Sequence, residues 1–150
     1  MAAQRQPPTP TTRLELPNER SQIEAVRDLI IDAITTAGYP EAAAFAIRLA
    51  FEEAVSNAFR HGHQHIDAPV TIEFSVTPHE TRISVEDKGP GFSPEAVPDP
   101  TLDENLEQPG GRGLLLMRAY MSDVRYNDRG NRVSMVYVNP SSRPSKPART

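Results

Sequence analysis

Residues 70–87, VTIEFSVTPHETRISVED, constrain the fold of this chain more than any other stretch. VTIEFSV and TRISVED each alternate apolar and polar residues with a period of two, and only a short turn around Pro78, His79 and Glu80 separates them. Such a pair reads as an antiparallel hairpin with one apolar face that needs a cover. Two helices upstream can supply it. Ile23, Val26, Ile30 and Ile34 recur at helical spacing behind Asn18, which is placed to cap a helix from about Glu19, and Gly38 and Pro40 end that pattern. A second helix is expected from about Glu41 to Arg60, with Gly62 as its stop.

Flanking segments complete the pattern. TRLELP before the first helix alternates like a short strand, GLLLMRAY (113–120) suits a helix, and SDVRYN and NRVSMVYV suit a closing hairpin across Asp128, Arg129 and Gly130. The order strand, two helices, two strands, loop, helix, two strands predicts an α+β two-layer sandwich: a mixed, mostly antiparallel sheet with helices on one face. The Pro-rich ends, residues 1–10 and 139–150, are expected to be disordered, leaving one domain over 11–138.

Composition excludes several functions. The formal charge is −4, and the C-terminal tail holds three basic residues (Arg143, Lys146 and Arg149), so the domain itself is more acidic still. That argues against direct nucleic-acid binding, which calls for a concentrated basic face. With no cysteine, disulfides and thiolate metal sites are impossible. No apolar run reaches the length of a membrane span and the N-terminus lacks a signal-peptide core, so a cytoplasmic, membrane-free protein is expected. His61, His63 and His65 alternate, but without a carboxylate pattern beside them they read as packing and loop residues rather than a metal site.

Three motifs carry candidate chemistry. In FEEAVSNAFRHG (51–62), Ile47, Phe51, Ala54, Val55 and Ala58 form the apolar side of a helix. Glu53 and Asn57 are neighbours one turn apart on a different side. A carboxylate can accept a proton, and a neutral amide oxygen suits a hard cation such as Mg²⁺. In DKGPGF (87–92), Asp87 follows the buried positions Ile83 and Val85, so its acceptor-only carboxylate belongs at the edge of a pocket, where it can bind an exocyclic amine. Gly89 and Gly91 let backbone approach a flat ring. In GGRGLLL, Gly110, Gly111 and Gly113 lead into a helix whose N-terminal N–H groups favour phosphate, with the charge of Arg112 beside them. Taken singly, each motif also fits an ordinary solvated face, a turn or a loop; their order makes the case.

Glu-x-x-x-Asn on a helix, Asp-x-Gly-x-Gly after a strand, then Gly-x-Gly before a helix resembles the nucleotide-binding domain of the GHKL ATPases. The match covers roughly residues 10–138. Within that group it is most similar to the bacterial anti-sigma factor serine/threonine kinases of the partner-switching type. The resemblance implies bound ATP and Mg²⁺, with Glu53 as general base and Asn57 as metal ligand. It further implies Asp87, Gly89 and Gly91 at adenine, Gly111, Arg112 and Gly113 at the phosphates, residues 92–109 as a lid, and Ser134 near adenine where the family often has Thr. The implied partners are a STAS-type anti-anti-sigma protein as substrate and a sigma factor, with the kinase acting as a homodimer. The alternative is an anti-sigma or adaptor module that binds ATP without transferring phosphate. A detached histidine-kinase domain is disfavoured, because the first helix contains no His to accept a phosphoryl group.

Overall fold

The computed structural model describes residues 10–61, 68–88 and 111–142. Five strands form one sheet in the order β1-β2-β3-β5-β4: β1 Thr12–Leu16, β2 Val70–Val76, β3 Glu80–Glu86, β4 Asp123–Tyr126 and β5 Arg132–Val138. All four pairings are antiparallel, in keeping with the mostly antiparallel sheet expected. Helices α1 (Arg20–Thr36), α2 (Glu41–His61) and α3 (Gly111–Tyr120) complete the two layers.

The strand pattern decides which face the helices cover. Leu14, Leu16, Val70, Ile72, Phe74, Ile83, Val85, Val133 and Met135 project to one side and join α1 and α2 residues in a single core. The other face is polar. There Glu73 is bonded by both Arg13 (3.3 Å) and Arg132 (2.7 Å), and Arg132 also donates to Ser84 Oγ (3.1 Å). α2 can lie close to the sheet because its inward positions are mostly alanine: Ala43, Ala46, Ala50, Ala54 and Ala58 are buried around Ile47 and Phe51. At its outer end the Phe45 ring meets Tyr120 of α3 edge-on, with centroids 5.6 Å apart.

Helix ends follow from local chemistry, with two corrections. The N-cap of α1 is Glu19 rather than Asn18; its backbone is extended, and its carbonyl accepts from the N–H groups of Gln22 and Ile23. At the other end Gly38 has φ +90°, donates to Thr35 O, and is followed by a Tyr39 N–H that donates to Ile34 O. This is a Schellman closure, and it requires the left-handed residue that glycine provides. α3 begins at Gly111, earlier than Gly113, so Gly111, Arg112 and Gly113 form its first turn rather than the loop before it.

The described structure continues past Val138. Asn139 is 1% exposed; it donates through N to His79 O and through Nδ2 to Pro78 O, and its Oδ1 accepts from Ser141 N. These bonds fasten the β2–β3 turn to the end of β5, and a short 3-10 turn Pro140–Ser142 follows. The helix stop at Gly62, His63 and His65, the segment with Gly89 and Gly91, the expected lid, Gly110 and most of both expected tails lie outside the described residues.

Candidate nucleotide site

Asn57 and Asp87 lie 30 positions apart in the chain, and the fold brings them to one cleft. α2 contributes Ala54, Asn57 and Ala58, the end of β3 contributes Val85 and Asp87, and the β4–β5 hairpin contributes Tyr126, Gly130, Asn131 and Val133. The cleft holds about 10 Å³, room for about one water molecule. Asn57 is 4% exposed and Asp87 5%. Glu53, half-buried, lies one turn before Asn57 on the same side of α2.

Asp87 is placed by the strand register. Ser84, Val85 and Glu86 pair with Ser134, Val133 and Arg132, which brings Asp87 opposite Asn131. The two backbones bond there, Asp87 N to Asn131 O at 2.8 Å, and Asn131 Nδ2 donates to Asp87 O at 3.2 Å. Asn131 is held in turn by the hairpin: Asn127 Oδ1 accepts from the backbone N–H groups of Asn131 and Arg132, while Asn127 Nδ2 donates to Asn131 Oδ1. Gly130, at φ +73°, allows the turn that folds Asn127 back onto them. Asn131 is a site residue that the sequence reading missed, because its partner Asp87 is identified only by strand pairing.

Tyr126 is the second such residue. Burial pushes its phenol up to about 12, opposed by the charge of Arg118 and by the Asn57 side chain and reinforced by Asp87, so it stays neutral at physiological pH. Asn57 Oδ1 accepts a 2.6 Å hydrogen bond from Arg60 Nη2, and the same nitrogen donates to Ser56 Oγ at 3.3 Å. The carbonyl oxygen of Asn57 therefore already receives a cation. This orientation, with the Glu53 carboxylate one turn away, fits the hard oxygen donors that Mg²⁺ requires.

Ser134 does not line this cleft. On β5, Val133 and Met135 face the helices, so Ser134 between them projects from the polar face, exposed and opposite Ser84 and Arg125. Val133 lines the cleft instead. The same alternation that placed Asp87 beyond Ile83 and Val85 could have placed Ser134 on the far side. The helical backbone of Arg112 is described, whereas Gly89 and Gly91 lie outside the described residues.

Glu52, next to Glu53, has a structural role. Arg20 Nη2 donates to both of its oxygens (2.9 and 2.8 Å) and Arg27 Nη1 to Oε2 (2.8 Å), which ties α1 to α2. Burial opposes its charge, but the bonds from Arg20 and Arg27 prevail and hold its carboxyl below the usual glutamate range. Among the described residues, no group of three or more His, Asp or Glu side chains is arranged to hold a metal ion, and no helix is long and apolar enough to cross a membrane.

An antiparallel sheet covered on one face by helices, with an acid at a strand end and an Asn on the facing helix, is the arrangement of the GHKL ATP-binding class. Residues 16–137 match the histidine kinase-like ATPase domain, and the chain belongs to that family. The serine-protein kinase RsbW of Listeria monocytogenes serovar 1/2a is 27% identical over 135 residues, covering 84% of this chain and 86% of the relative. The serine/threonine-protein kinase BtrW of Bordetella bronchiseptica is 34% identical over 91 residues, 57% of this chain and 62% of the relative. Among solved structures, the RsbU and RsbW domains of Rv1364c from Mycobacterium tuberculosis share the fold at a TM-score of 0.58 and 19% identity; the match covers 88% of this chain and 32% of that longer one.

Proposed function

We propose that the chain is an ATP- and Mg²⁺-dependent protein serine/threonine kinase and anti-sigma factor that phosphorylates a STAS-type anti-anti-sigma protein and sequesters a sigma factor. The observation that carries this reading is the meeting of Asn57 and Asp87 in one cleft, with Glu53 a turn away, in a chain related to serine-protein kinases. Asp87, fixed by Asn131, accepts from the adenine amine. Glu53 takes the proton of the acceptor hydroxyl as its oxygen attacks the γ-phosphorus and ADP departs. Asn57 would hold Mg²⁺. The metal, when bound, neutralises charge on the phosphates, the main requirement of phosphoryl transfer. Gly111, Arg112 and Gly113, in the first turn of α3, are assigned to the phosphates, and Gly89 and Gly91 to the adenine ring. We also assign the protein to the cytoplasm as a homodimer.

The test is incubation with Mg-ATP and purified STAS-domain proteins, read as phosphoserine or phosphothreonine by mass spectrometry. Glu53→Ala should abolish transfer while nucleotide binding and sigma capture persist. Nucleotide binding with no transfer by the unaltered chain to any such protein would replace the kinase reading with that of a binding-only module.

A further inference from the structure

Arg60 lies between two features of the molecule. Its Nη2 bonds Asn57 Oδ1 at 2.6 Å, at the nucleotide cleft. The same residue lines a separate groove of about 340 Å³ between α1 and α2, together with Asn18, Glu52, Ser56 and Phe59. A 2.6 Å bond from a guanidinium to a neutral oxygen is short and charge-assisted. It takes up the oxygen assigned to Mg²⁺, and two cations cannot share that direction of approach. Arg60 lies on the exposed surface of α2. The groove gives it a place to go: Ser56 Oγ already accepts from it at 3.3 Å, and the Glu52 carboxylate lines the same space.

We infer that Arg60 is a resident cation on Asn57 that must withdraw into the α1–α2 groove before a divalent cation binds there. It raises the Mg²⁺ concentration needed to load the site, because metal binding must displace a charge-assisted hydrogen bond. This inference rests on the reading of Asn57 as the metal ligand.

The experiment titrates Mg²⁺ against the full chain with a fluorescent ATP analogue and compares each affinity with that in EDTA, so that general effects on nucleotide binding cancel. Arg60→Ala should lower the half-saturating Mg²⁺ concentration roughly threefold to tenfold, the scale of one partly screened charge-assisted bond. Arg60→Lys, which keeps the charge, should stay near the unaltered chain. A merely structural Arg60 would instead lower the melting temperature and leave the Mg²⁺ requirement unchanged. An unchanged or higher requirement in Arg60→Ala, with normal metal enhancement in the unaltered chain, overturns the inference and leaves the assignment of Asn57 standing. Nucleotide binding by the unaltered chain without any metal enhancement overturns both.

Discussion

Replacing Asn131 by alanine tests the structural basis of the cleft most directly. Its amide makes two hydrogen bonds, a buried one to Asp87 O at 3.2 Å and one from Asn127 Nδ2 at 2.8 Å. The backbone bond between Asp87 N and Asn131 O is untouched by the substitution, so the strand register should survive. Loss of the buried bond costs about 1–2 kcal/mol and loss of the more exposed one about 0.5 kcal/mol, for a total near ~2 kcal/mol. For a chain of this size that corresponds to a fall in melting temperature of about 4–8 °C. Thermal unfolding followed by circular dichroism measures it. ATP affinity should fall in parallel, because Asp87 loses its bond from the Asn131 amide. A melting temperature within a degree of the original, with ATP binding changed less than twofold, would show that Asn131 does not brace Asp87.

Two further outcomes are expected. Gly38→Ala should destabilise by about 1 kcal/mol through its left-handed backbone alone, because a Cβ there would meet nothing within 4 Å; chemical denaturation measures it, and an unchanged midpoint would refute the Schellman assignment. For pH, Glu52 is depressed by Arg20 and Arg27 against the opposing effect of burial, and Glu73 chiefly by Arg132. Both titrate lower in the folded chain than in the unfolded one. The stability they add is therefore complete above the ordinary glutamate value of 4.5 and is lost as pH falls through their depressed values. Glu52→Gln should lower the melting temperature at neutral pH and flatten its decline in acid; an acid limb identical to that of the unaltered chain would sink the assignment.

Much of the fold is legible in the sequence because its signals are local. Period-two alternation in residues 70–87 sets two strands and their faces, and the isoleucine spacing and Gly38 set α1 and its end. The pairing of Glu53 with Asn57 needs only the geometry of a helix. Caps were less legible: Glu19 rather than Asn18 begins α1, since its carbonyl bonds depend on how the chain leaves β1. Asn139 looked like part of a loose tail because its partner Pro78, in the β2–β3 turn, lies 61 positions away in the chain.

The sequence by itself determined the elements, the parity of each strand and the residue types offered to a ligand, because these follow from the backbone periods of 2 and 3.6. Only tertiary structure decided that β5 lies beside β3, which puts Asn131 against Asp87 and Tyr126 beside Asn57. Strand order across a connection rests on long-range pairing and on burial of the shared apolar face, and no local period encodes it.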